Sequence, residues 1–241
     1  MARTTVGILE AGMMPPPLEA KFGTIASMYE KLFAGRSDRL ELKIYRAFES
    51  ELPSSADECD AYLISGSPAS VFDEDEWIKA LKAFVLQAYS AEKKLLGICF
   101  GHQLLADVLG GRVERSDKGW GVGSHSYHMN EAAIEAGLPI GEITINVSHQ
   151  DQVTQLPEGA VLLGGCEFCP NGAFRLGDKV LAMQCHPEYP DELLNDLIEF
   201  RKERLGEKAY RTGLNSLSTP LTVPSVEAWM TDFLTSTHLT D

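Results

Sequence analysis

The sequence predicts an α/β protein: a central, mostly parallel sheet with helices on both faces and an antiparallel extension. Three observations carry this reading. Short apolar runs alternate with helix-period segments through the first half of the chain. Those runs stop at Gly, Ser or Pro turns. After residue 120, strand-like segments follow one another with little helix between them.

Val6 to Leu9 is the first expected strand. Leu40 to Tyr45 alternates apolar and polar residues, the period of a strand with one polar face. Ala61 to Ile64 is a short apolar run that ends in Ser65-Gly66-Ser67-Pro68, as a buried strand ends in a turn. Trp77, Leu81, Phe84, Val85 and Ala88 recur at helical spacing, with Lys79, Lys82 and Gln87 on the other face. Asp73 to Glu76 precede that helix, where acidic groups complement its N-terminus. Leu95 to Ile98 is another buried strand, and Gln103 to Leu109 a helix closed by Gly110-Gly111. Further strands are expected at Val122 to Tyr127, Ile143 to Val147, Ala160 to Leu163, Ala173 to Leu176 and Val180 to Cys185. A helix follows over Glu192 to Arg201. From Tyr210 onward the chain is Ser/Thr/Pro-rich before a short amphipathic piece, Val223 to Met230, which docks either on the domain or on a partner. The expected division is a domain over 1–205 and a C-terminal extension over 206–241.

The chain has 241 residues, with 21 Lys and Arg against 35 Asp and Glu, a net charge of −14. That field repels phosphate backbones and anionic lipid, so neither a nucleic-acid nor a membrane partner is expected. No apolar run is long enough to span a bilayer, and Met1 to Val6 lacks a signal-peptide core. The five cysteines show no disulfide-framework spacing. A reducing, cytoplasmic location follows as the expectation.

Gly97-Ile98-Cys99-Phe100-Gly101-His102-Gln103 joins a strand to a helix in a G-x-C-x-G arrangement. It has the form of a nucleophile elbow with Cys in place of Ser. Glycines two residues either side relieve the crowding of such a tight turn. Cys99 then projects at the carboxyl end of a strand, where open α/β sheets bind ligands. The helix N-terminus behind it favours a thiolate, and the Phe100 N–H faces a developing oxyanion. The bland alternative is an inert Cys in an ordinary turn. Cys185-His186-Pro187-Glu188 tips the balance, because a Cys nucleophile needs a base and the base an orienting carboxylate. His186 and Glu188 sit two apart, so at a strand end they can share a side. Ser65-Gly66-Ser67-Pro68 can aim backbone N–H groups into the same place. Cys166-Glu167-Phe168-Cys169 has zinc-like spacing but no second pair. No metal is expected. His125 and His128 fall on opposite faces of their strand, and His102 either lines the pocket or packs.

Together, the elbow and His186-Pro187-Glu188 resemble the class I, triad-type glutamine amidotransferases over roughly residues 5 to 200. Ser148-His149-Gln150-Asp151-Gln152-Val153 resembles the family loop that helps hold the substrate's α-carboxylate and amine, in the form seen in the amidotransferase domain of GMP synthetase. The resemblance implies a three-layer α/β/α, flavodoxin-like fold and no cofactor. It implies Cys99 as nucleophile, His186 as general base and then acid, and Glu188 as its orienter. The N–H groups at Ser67 and Phe100 would form the oxyanion hole. Gly66, Gln103, Ser148 and His149 would line the glutamine pocket.

The implied reaction is hydrolysis of the γ-glutamyl amide of glutamine through a cysteinyl thioester. The chain has no room for an ammonia-accepting domain, so a synthase subunit in trans is one possible partner. Lys93 to Gln103 and Gly119-Trp120-Gly121-Val122-Gly123 also resemble the plant γ-glutamyl peptidases, free-standing relatives that act on glutathione-like substrates. A catalytically silent binding relative is the third reading.

Overall fold

The computed structural model describes residues 3–236. In chain order, the first half contains β1 (Thr4–Leu9), α1 (Pro16–Phe22), α2 (Ile25–Leu32), β2 (Leu40–Tyr45), β3 (Ala61–Ile64), α3 (Glu76–Ser90), β4 (Lys94–Ile98) and α4 (Phe100–Val108). Next come β5 (Arg112–Arg115), β6 (Gly121–Met129), α5 (Glu131–Glu135), β7 (Glu142–His149), β8 (Asp151–Gln155), β9 (Val161–Gly165), β10 (Ala173–Leu176) and β11 (Val180–Met183). Helices α6 (Asp191–Phe200), α7 (Lys202–Ser216) and α8 (Val223–Thr235) close the described chain.

Nine strands form one sheet in the order β2-β1-β3-β4-β11-β10-β9-β6-β7. The first five are parallel, in the strand order of a flavodoxin-like sheet. The last four pair antiparallel and extend it. A separate two-stranded ribbon, β5 with β8, stands beside the main sheet.

Strand periodicity sorts side chains into two cores. Ala61 and Leu63 of β3, with Leu181 and Met183 of β11, enter a core shared with α2, α6 and α8. Tyr62 and Ile64, with Val180 and Ala182, enter the core shared with α3 and α4. The sheet is thus the middle of three layers.

Some elements carry little signal in the sequence. Helix α1 starts inside the Pro15-Pro16-Pro17 run, which reads as a breaker yet is tolerated in a first helical turn. Helix α7 is polar, buries only Leu205 and Gly213, and kinks at Gly206, where φ is +74°. No 3.6-residue stripe survives that interruption. Strand ends also move by a residue or two: the strand expected to reach Cys185 stops at Met183.

Residues 206–236 pack against the same core as the rest of the described chain. Helix α8 buries Val226, Trp229, Met230, Phe233 and Leu234 in the core beneath β1 and β4. Trp229 Nε1 donates to Ala136 O at 2.8 Å. The Arg36 guanidinium holds Glu227 through both nitrogens at 2.9 Å. The amphipathic piece therefore docks on its own sheet. Among the described residues no helix is long and apolar enough to cross a membrane. Trp229→Ala should lower unfolding free energy by about 3–5 kcal/mol, read from denaturant melts, because it empties a fully enclosed site.

Candidate active site

The site lies at the carboxyl ends of β3, β4 and β11. Cys99 follows β4 and precedes α4 with φ +53° and ψ −101°, a left-handed backbone that a non-glycine residue adopts only under constraint. Its neighbours explain how the turn is held. A Cβ on Gly97 would lie 2.5 Å from Gly101 O, and one on Gly101 would run into the Ile64 carbonyl. Both positions must be bare for β4, α4 and the end of β3 to meet. The Cys99 N–H donates to Met183 O at 2.9 Å, tying the elbow to β11. Phe100 opens α4, so its N–H has no acceptor within the helix.

His186 sits three residues beyond β11, its N–H donating to Asn146 O at 2.7 Å. Its Nδ1 meets Glu188 Oε1 at 2.8 Å, and both side chains are buried. Tyr189 stacks on the imidazole at 4.1 Å between ring centres and 8° between planes. With Nδ1 engaged, Nε2 is left for the cavity that His186 and Cys99 both line. Burial alone would lower the imidazole's pKa. The negative charges of Cys99 and Glu188, with their hydrogen bonds, override it and push the value up to about 10.

The third wall is the turn after β3. Ser65 Oγ accepts from Ala11 N at 2.9 Å and donates to Gly66 O at 2.9 Å, which sets the turn against the loop after β1. A Cβ on Gly66 would stand 2.7 Å from His186 Cε1, so glycine here makes room for the imidazole. Ser67 lines the cavity, its Oγ accepting from Ala69 N at 3.1 Å.

Cys99, His186, Ser67, Gln103, Ser148 and His149 line one cavity of about 60 Å³. Glu188, Phe100 and Gly66 stand behind its walls. Gln103 Nε2 is held by Asp151 O at 2.8 Å and Gln184 Oε1 at 3.0 Å. His149 Nδ1 lies 3.1 Å from Asp151 O, and burial pulls this imidazole down to about 3, so it is neutral. His102 is also neutral, pulled to about 3 by burial, and packs on Phe174 outside the cavity.

The cavity also takes Met13, Met14, Trp120, Arg115, Asp151, Tyr189, Arg201 and Arg204, none of which the motifs assign a role. Asp151 falls within the Ser148–Val153 segment, but the arginines carry no local pattern. Ser67, Pro68, Arg201 and Arg204 also line a second, neighbouring space of about 780 Å³. A further space of about 920 Å³ adjoins at Trp120 and includes His125, Cys166 and Phe168. His125 meets Phe168 edge-on, while His128 is exposed. Among the described residues no group of three or more His, Cys, Asp or Glu is placed to hold a metal, Cys166 and Cys169 included.

Residues 29–201 match the family Glutamine amidotransferase class-I. The chain belongs to this family. Gamma-glutamyl peptidase 3 of Arabidopsis thaliana is 31% identical over 186 residues, covering 74% of each chain. A glutamine-hydrolysing GMP synthase of Porphyromonas gingivalis is 38% identical over 143 residues, 58% of this chain and 27% of that one. In structure, a glutamine amidotransferase of Thermotoga maritima superposes with a TM-score of 0.78 at 19% identity, covering 98% of this chain and 100% of that one. This member of the family is thus a class I glutamine amidotransferase-like cysteine hydrolase.

Two outcomes follow from the geometry. Gly66→Ala should fold yet displace the His186 ring, slowing hydrolase turnover by about 100-fold; an unchanged rate would mean the ring moves without consequence. In the unfolded chain the His186 imidazole titrates near its ordinary 6.5. The stability from its ion pairs is therefore complete below about pH 6.5 and lost as pH rises through about 10. The excess stability of wild type over Glu188→Gln, measured by denaturant melts, should shrink across that same rise.

Proposed function

We propose that the protein hydrolyses the γ-glutamyl bond of small peptides, releasing glutamate. The observation that carries this reading is the shape of the site. A cavity of about 60 Å³ at Cys99 shares Ser67, Pro68, Arg201 and Arg204 with a neighbouring space of about 780 Å³. A glutamyl side chain needs only the inner space, and ammonia as leaving group would need none of the outer one. The similarity to an Arabidopsis γ-glutamyl peptidase over 74% of both chains supports the same reading.

In this mechanism Cys99 Sγ, as thiolate beside the His186 imidazolium, attacks the γ-carbonyl carbon. The carbonyl electron pair moves to oxygen, and the N–H groups of Ser67 and Phe100 receive the oxyanion. His186 Nε2 protonates the departing nitrogen as the C–N bond breaks, leaving a γ-glutamyl thioester on Cys99. Neutral His186 then takes a proton from water, which attacks the thioester. Glutamate leaves and the thiolate–imidazolium pair is restored. Glu188 keeps Nδ1 occupied throughout, so Nε2 alone moves protons. Gln103, Ser148 and His149 hold the glutamyl group on the opposite wall.

The second reading is hydrolysis of free glutamine with ammonia delivered to a synthase subunit in trans. The 38% identity to the GMP synthase favours it. A turnover assay separates the two: γ-glutamyl peptides should be cleaved by the isolated protein, with free glutamine turned over far more slowly. Glutamine turnover that appears only when cell extract is added would favour the synthase-coupled reading. Cys99→Ala should lower peptide turnover by about 10⁴-fold or more, and trapped thioester should be found by mass spectrometry on Cys99 alone.

A further inference from the structure

The cavity wall contains charges that the mechanism does not use. Arg201 ends α6, with its backbone N–H on Leu197 O and Glu199 O. Its side chain turns into the cavity, where Nη1 donates to Ser148 Oγ at 2.9 Å. Among the described residues no carboxylate lies within 4.0 Å of it. Most of the side chain is out of water, and burial pulls the guanidinium below its usual range. Arg204, three residues on, faces the same cavity with its guanidinium 4.9 Å from the centre of the Trp120 ring, and among the described residues it too has no acidic partner. Glu203 lies on the outer rim, exposed and not paired to either arginine.

Four considerations make this pair more than a surface accident. The chain holds 35 acidic against 21 basic residues, so acidic partners are abundant and still absent here. The third arginine of the same wall, Arg115, is neutralised, its Nε lying 3.2 Å from Asp151 Oδ1. The remaining donors of the half-buried Arg201 meet no protein acceptor among the described residues and are free to take an anion. Both unpaired arginines line the inner cavity with Cys99 and also the outer space with Met13, Pro15 and Trp77.

We propose that Arg201 and Arg204 form a carboxylate subsite for the leaving group, so that the substrate is a γ-glutamyl peptide with a free C-terminal carboxylate. The proposal rests on the peptidase reading above and adds to it the part of the substrate that is selected. Arg201 offers a planar fork suited to two-oxygen recognition of a carboxylate. Arg204, stacked on Trp120, supplies the second charge at the mouth. The same pair offsets the repulsion that a chain of net charge −14 exerts on an anionic peptide.

The test compares γ-glutamyl-cysteinyl-glycine with its C-terminal amide, alongside free glutamine. Wild type should prefer the free acid by roughly tenfold or more in kcat/KM, expressed chiefly in KM. Arg204→Gln, an exposed change, and Arg201→Lys, which keeps the charge but loses the fork, should each reduce that acid-over-amide ratio. The double variant should bring it near one. A wild-type enzyme that cleaves acid and amide equally well overturns the subsite. So do variants that lower acid, amide and glutamine by the same factor, since the arginines would then serve the glutamyl end shared by all three. Turnover of glutamine with neither peptide cleaved would instead defeat the peptidase reading itself.

Discussion

The structure depends on one close approach: the backbone of α4 against the ends of β3 and β4. Gly97 and Gly101 have no side chains because their Cβ positions are already occupied by neighbouring backbone. That contact holds Cys99 in a left-handed conformation at the end of β4. A turn of this kind stores strain, and it persists only because the surroundings over-determine it. The surroundings here are a β4 buried on both faces, a bond from the Cys99 N–H to β11, and α4 packed beneath α3. The rest of the site is arranged around the thiol placed by that contact.

Electrostatics supplies the second layer. A buried imidazole would ordinarily be neutral, as His102 and His149 are. His186 differs only in its company: Glu188 on one side and Cys99 on the other outweigh the same desolvation. Three buried histidines thus reach opposite charge states through their partners rather than through depth. Glycine at position 66 belongs to the same arrangement, since any side chain there would displace the charged ring.

Much of this was legible from the amino acids. The elbow, the His186-Pro187-Glu188 tripeptide and the alternation of strands and helices are local patterns, set by turn sterics and by side-chain period. The four apolar residues of β3 could be read because a strand buried on both faces leaves no polar position to confuse it. Helix α1 could not, because proline reads as a breaker until its place in the first turn is known. Helix α7 could not either, because Gly206 resets its phase. Helix α8 was visible as an amphipathic segment, but its destination was not: an apolar face specifies that it is buried, not against what.

By itself, then, the sequence determined the fold class and the local patterns around Cys99 and His186. These follow from short-range rules that operate within a few residues. Only the tertiary structure decided which charges face the thiol. The count of −14 says nothing about Arg201 and Arg204, because pairing depends on which side chains the folded chain brings within reach. Arg115 found Asp151 across the β5–β8 ribbon, whereas Arg201 and Arg204, at the bend between α6 and α7, pair with no carboxylate among the described residues.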